Sequence, residues 1–355
     1  MGLPKITISF KDRAKTAIQR SERGVVGLIL VDSNAPTKNP FVVTGIDDIP
    51  SSLSAANVEQ IKLAMIGFEQ TVKKIYVYVT DSIANVTDGL DAFLLTNVSY
   101  VAVPEITDEA ATEAVTWLKT NRVDTEACII KLVLPNKAAD HEAIVNFTAD
   151  EIVNDELNKT FTTAQYCGRI AGILATTPLT QSCTYHTLPE VSSVKKLSKK
   201  ELDDAVDAGE LVAFFDGEKV KLGRGVNSLT TLGTKTEQWK KIRVVDVMDI
   251  MRADIKRTIQ DNYIGKIVNI YDNKSRLCDA INGYFDTLIT EGALSRGYSE
   301  VDVDANKKWL KEASYDVADM SDEDILKADT GDDVMIKASV SILDVMEDIT
   351  LNIQV

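Results

Sequence analysis

The chain has two histidines, His141 and His186, and His186 follows Cys183 by three positions. A Cys-x-x-His pair offers two ligands of the kind zinc takes, but a structural zinc site needs four, and no second pair stands elsewhere in the sequence. An ordinary thiol and an ordinary imidazole are therefore expected. Neither histidine is matched to a nucleophile, since no Gly-x-Ser-x-Gly elbow occurs. Ser193 and Lys196 form a Ser-x-x-Lys pair without the companion motifs that would give it meaning. Gly223-Arg224-Gly225 lacks the third glycine and the helix start of a dinucleotide turn, and no phosphate loop of the Walker type is present. Asp302, Asp304 and Asn306 imitate the first half of a calcium loop, but Lys307 replaces the glycine and Ala313 stands in place of the bidentate glutamate. A solvated loop is expected there. The inventory supplies no catalytic residue, no metal site and no cofactor site.

The elements that would position such groups alternate in type. Gly24–Val31 is a short strand of the buried kind, and Phe41–Thr44 is a second. Ser54 opens a helix with Val58, Ile61, Met65 and Phe68 on one face. Strands follow at Ile75–Val79, Tyr100–Val103, Ala127–Leu134 and Ile144–Phe147, with helices at Ile83–Leu95, after Thr107, and from Thr162 to Ala175. Strands separated by helices of this length imply right-handed crossovers and a largely parallel sheet. The stretch 176–236 is turn-rich, with a hairpin at Leu211–Phe215 and Lys219–Leu222 around Asp216-Gly217. Ile242–Val247, a β-branched run, reads as a strand leading into a helix over 248–263. A further helix spans Lys274–Glu291 and stops at Gly292. Tyr298–Val303 and Val334–Leu343 read as strands. The fold class is thus α/β followed by α+β.

Composition excludes several functions. At 355 residues, 45% hydrophobic, the chain is long enough for two or three cores. A net charge of -15 and a pI near 4.7 oppose nucleic-acid binding, which draws on a basic footprint. Cys128, Cys167, Cys183 and Cys278 are scattered, as expected of reduced, buried thiols. The apolar run at 24–31 is too short to span a membrane, and neither a signal peptide nor a myristoylation signal is read at the start. Charge is uneven, however. Residues 235–257 hold seven basic and four acidic side chains, whereas 301–335 hold four basic and eleven acidic. The basic strip includes Arg243, Arg252, Lys256 and Arg257, candidates for contact with a neighbouring copy or another partner.

The two ends are the least ordinary part. Ile6, Ile8 and Phe10 alternate with Thr7 and Ser9, and Ile349, Leu351, Ile353 and Val355 alternate with Thr350, Asn352 and Gln354. Period-two alternation makes a strand with one apolar face. A strand with no sequence neighbour must still pair its backbone groups, in its own sheet or in that of another chain.

Taken in order, several segments resemble the contractile tail sheath proteins of the small PBSX-like type, found in myophages and in phage-tail-like bacteriocins such as diffocins. These are Gly2–Phe10, Thr16–Gly24, Gly225–Thr231, Lys241–Ile255 and Thr290–Leu294. The resemblance covers nearly the whole chain. It implies an outward α/β domain (24–175) ahead of an α+β C-terminal domain (176–343) that faces an inner tube. It also implies linking arms at 1–23 and 344–355. Subunits of that family stack as hexameric rings around a rigid tube, alongside baseplate and tail terminator proteins. Their arms complete a β-sheet in neighbouring subunits, and contraction drives the tube through a target envelope. The expected setting is assembly in a bacterial cytoplasm, then a virion or released particle, with no membrane insertion and no nucleic acid.

Overall fold

The computed structural model describes residues 17–124 and 129–354. They form two compact units. One holds residues 21–253 with the tail from 344; the other holds 254–343 with residues 17–20. The boundary expected at 175 falls inside the first unit, because the strands beyond it join the same sheet.

In the first unit the chain runs β1 (Val25–Val31), β2 (Phe41–Val43), α1 (Ala55–Met65), β3 (Lys74–Thr80), α2 (Val86–Phe93), β4 (Tyr100–Ala102), α3 (Asp108–Asp124), β5 (Lys131–Pro135) and β6 (Ile144–Thr148). A small hairpin, β7 (Ile152–Asn154) and β8 (Lys159–Phe161), precedes α4 (Thr163–Thr176). Then come α5 (Lys199–Asp207), β9 (Glu210–Phe215), β10 (Val220–Leu222) and the start of α6 (Ile242–Asn262). The eight-stranded sheet has the order β10-β9-β6-β5-β4-β1-β3-β2, parallel from β9 to β3 and antiparallel only at its two edges. One face is sealed by α1 and α4 through Leu28, Val77, Tyr166 and Ile170, the other by α2 and α3 through Ile29, Leu90, Phe93 and Leu118. The expected α/β sandwich is present.

Local chemistry explains the ends of these elements. Ser54 caps α1 by accepting from the Asn57 N–H, and Thr162 and Gln165 form a reciprocal capping box on α4. The same signature, Ser198 with Glu201, starts α5 inside the stretch read as turn-rich and strand-like. That helix was legible from its box and was missed.

The strand expected at Ile242–Val247 is instead the first two turns of α6. Its β-branched residues are buried, but a second requirement overrides their strand preference. Asp246 and Asp249, three apart, share a face only in a helix. There Lys131 Nζ lies 3.0 Å from Asp246 and 3.1 Å from Asp249, Arg122 donates to Asp249 at 2.7 Å, and the Tyr100 hydroxyl donates to Asp246 at 2.8 Å. A strand would send the two carboxylates to opposite faces and leave one buried charge unpaired.

The second unit takes α6 from Asp254 onward, then α7 (Tyr271–Thr290), β11 (Leu294–Val301), α8 (Val303–Glu312), α9 (Asp322–Lys327) and β12 (Ile336–Ile342). Tyr284 of α7 donates its hydroxyl to Asp254 at 2.7 Å. The loop expected around Asp302 is a helix start. Asp302 caps α8 by accepting from the Ala305 N–H, and Asn306 is fully buried with its amide donating to the Asp302 carbonyl. Leu310, Val317 and Ile325 form a small core beneath α8 and α9. The acidic run from Asp316 to Asp333 lies along this surface.

Candidate functional site

The residues that might have done chemistry are spent on structure. His186 stacks on Phe68 at 4.2 Å, and burial lowers its pKa to about 4. Burial likewise pushes the Cys183 thiol up to about 12. A neutral imidazole packed on a ring and an inert thiol make no ligand pair. Cys167 and Cys278 are also buried and free, while Cys128 lies outside the described residues. Among the described residues, no group of three His, Cys, Asp or Glu is placed to hold a metal, and no helix is long and apolar enough to cross a membrane.

What the structure offers instead is an open β-ribbon and an exposed arm. β11 and β12 form a two-stranded antiparallel sheet, with Val301 opposite Ile336, Ser299 opposite Ala338 and Gly297 opposite Val340. α7 covers one face of β11 so closely that a Cβ on Gly297 would stand 2.7 Å from the Phe285 Cβ, and only glycine fits. Ser299 is buried against the same helix. On the partner strand, residues 337–340 are exposed. Lys337 and Glu300 pair across the ribbon at 3.0 Å.

Among the sequence-predicted arm residues, Ile349, Leu351 and Ile353 are 80%, 77% and 74% exposed, on a segment that pairs with no strand among the described residues. Ile6, Ile8, Phe10 and Val355 lie outside the described residues. The root of the C-terminal arm is held, a feature that sequence reasoning missed. The Glu347 side chain is only 8% exposed; it accepts from the Thr184 hydroxyl at 2.6 Å and pairs with Lys241 at 3.3 Å. Asp344 also pairs with Lys241, and Arg224 donates to Asp348 at 2.5 Å. Partial burial works against both members of the Asp344–Lys241 pair. Their mutual attraction outweighs it, lowering the pKa of Asp344 and raising that of Lys241.

The basic strip divides along α6. Arg243 is buried in the first unit, where desolvation lowers its pKa against the opposing pull of Asp344 and Asp246. Arg252 and Arg257 are exposed, and Lys256 is half-buried.

The chain has recognisable relatives among known proteins. Residues 82–228 match the family model "Phage tail sheath protein central domain", and residues 234–355 match "Phage tail sheath C-terminal domain". The chain belongs to the phage tail sheath family. It is 36% identical to the tail sheath protein of Clostridium phage phiCD119 over 99% of both chains. The fold matches the sheath tail protein of Desulfitobacterium hafniense at a TM-score of 0.69 and 18% identity, covering 84% of this chain and 94% of that one. It also matches the helical sheath of the anti-feeding prophage in its contracted state, at a TM-score of 0.70 and 14% identity over 100% and 99% of the two chains. This sheath protein is a structural component of a contractile tail and hence of a virion or tail-like particle; its relatives are structural proteins, not enzymes.

Proposed function

We propose that this sheath protein polymerises as stacked hexameric rings around an inner tail tube, its subunits linked by their terminal arms. The observation that carries this reading is the apolar alternation Ile349, Leu351, Ile353, left exposed on an extended tail. Covering these side chains contributes roughly 1.5–3 kcal/mol each before ordering costs. A two-stranded sheet is marginal alone and gains from added strands. Head-to-tail contacts that do not close generate helical filaments from one chain type. In this reading the N-terminal arm spans 1–23 and the C-terminal arm 344–355. The α/β domain faces outward, and the C-terminal domain faces the tube, with Arg252, Lys256 and Arg257 as contacts to the tube or a neighbour. Baseplate and tail terminator proteins bound the assembly, which forms in the bacterial cytoplasm. Contraction shortens and widens the sheath without breaking the arm joints and drives the tube through a target envelope. The extended sheath is the kinetically trapped state.

Deleting residues 345–355 tests the linkage. A folded, soluble monomer that no longer forms tubes by electron microscopy is expected; normal tubes from that chain overturn the linking role.

A further inference from the structure

One stretch of the large sheet carries polar side chains where its neighbours are apolar. Along β6, Val145 and Phe147 enter the core shared with α1 and α4, and Ile144 enters the core on the other face. Strand alternation then puts Asn146 and Thr148 on that second face. β9 runs parallel beside β6, with Glu210 opposite Asn146 and Val212 opposite Thr148, so both of these share the face. A sheet face that continued the pattern of Ile144 would carry leucine or valine at 146. Here it carries a carboxamide.

A cavity of about 300 Å³ opens beside this stretch, lined by Asn136, Asn146, Thr148, Glu210, Val212 and Leu197. That volume lies at the lower end of small-molecule sites. Asn146 is only 2% exposed, yet its Oδ1 has no hydrogen-bond partner. Buried polar groups are almost always hydrogen-bonded, so a lone carboxamide on a cavity wall asks for a partner from outside the chain. A half-turn of the amide exchanges oxygen and nitrogen, and it can offer either an acceptor or a donor there.

The other polar groups of the cavity are held in place and define what it can take. The Thr148 hydroxyl donates to Glu210 Oε2 at 3.0 Å, which fixes the carboxylate and leaves Oε1 to accept from a ligand. Lys195, the cation of the lining, pairs with Asp150 at 3.0 Å. Two carboxylates against one paired ammonium disfavour an anion, whether a phosphate or a carboxylate. The ligand must donate to Glu210 and either donate to or accept from Asn146. Hydroxyl groups do both. Val212 and Leu197 add apolar surface to the same wall. A sugar ring has the matching make-up, with C–H groups on one face and hydroxyls around its edge.

We propose that this cavity binds one neutral sugar ring, its hydroxyls bonded to Asn146 and Glu210 and its C–H face laid on Val212 and Leu197. The ring is a free monosaccharide or the end unit of a glycan. The site lies within the first unit and uses neither the arm nor the ribbon.

The full-length protein is titrated with D-glucose, D-galactose, D-mannose and N-acetyl-D-glucosamine, each also as its methyl glycoside. Binding is read by saturation-transfer NMR and by the rise in melting temperature that a ligand of the folded state produces. At least one sugar is expected to saturate the site. Equal binding of its methyl glycoside marks the end unit of a glycan, whose anomeric carbon must leave the cavity; binding of the free sugar alone marks a monosaccharide. Asn146→Leu is expected to melt at or above the parent temperature, because it removes an unpartnered amide, and to weaken sugar binding about tenfold or more. Glu210→Gln, at a half-buried position, is expected to weaken it about tenfold by removing a charge-assisted bond. If Asn146→Leu does not fold, Glu210→Gln decides. Absence of a saturable signal from every one of these sugars means that the cavity holds water only and overturns the proposal. Sugar binding left unchanged by both variants overturns it too, because the sugar then sits elsewhere. Saturable binding of putrescine or inorganic phosphate in place of the sugars overturns the ligand class.

Discussion

The eight-stranded sheet and the two-stranded ribbon handle their edges in opposite ways. The large sheet ends in β2 and β10, each three residues long and antiparallel to its neighbour. Pro40 stands immediately before β2 and cannot donate to an added strand. Both faces are sealed by helices, so that sheet is finished. The ribbon's outer strand is seven residues long, exposed over its middle, and covered by α7 only on its partner's side. Long open edges are hazards in a monomer. The difference teaches that a sheet can be finished by short edges and sealed faces, while a ribbon covered on one strand leaves the other exposed.

The sharpest way to break the finished half is through its buried charges. Lys131→Met removes the ammonium that Asp246 and Asp249 share in the interior, and a loss of about 3–5 kcal/mol is expected, read as a lower urea midpoint. If the midpoint holds, α6 is not docked by that network. In the ribbon, Asn282→Ala strips both bonds from Ser299 and is expected to cost about 1–3 kcal/mol and to promote non-helical aggregation through the uncapped β11 edge. Light scattering that stays flat while stability falls would separate the structural from the protective role.

The clamp should respond to pH only at the extremes. Asp344 has a lowered pKa, so its contribution is complete above the ordinary carboxylate value of 3.8 and is lost as pH falls through the lower folded value. Lys241 has a raised pKa, so its contribution is complete below 10.5 and is lost as pH rises through the higher folded value. A spin label at position 351 should therefore report unchanged arm motion throughout the neutral range and loosening in strong acid; a transition near neutrality would implicate another group. The smallest effect is expected from Lys337→Ala, which removes a solvent-exposed cross-strand pair. Its denaturation curve should overlay the parent's, whereas a clear shift would show the ribbon to be less tolerant than its exposure suggests.

Much of the α/β half was readable because periodicity and caps act within a few residues. Ser54, Thr107 and Thr162 announced their helices, and Gly24–Val31 read as a buried strand. The start of α6 was misread for the converse reason. Its β-branched residues favour a strand, and the partners that make it a helix, Tyr100, Arg122 and Lys131, lie more than a hundred positions earlier. Asp302 and Asn306 were read as part of a solvated loop, whereas Asp302 caps α8 and Asn306 is buried within that helix.

By itself, the sequence determined the element types of the first half, the empty catalytic inventory and the apolar alternation of the arm, because each depends on residue type and short-range spacing. Tertiary structure alone decided that Asn282 bonds the Ser299 backbone, where the arm is held, and that Arg243 is turned inward. Those outcomes depend on side chains such as Asn282 and Glu347 meeting backbone and charge far away in the chain. No local pattern records such meetings.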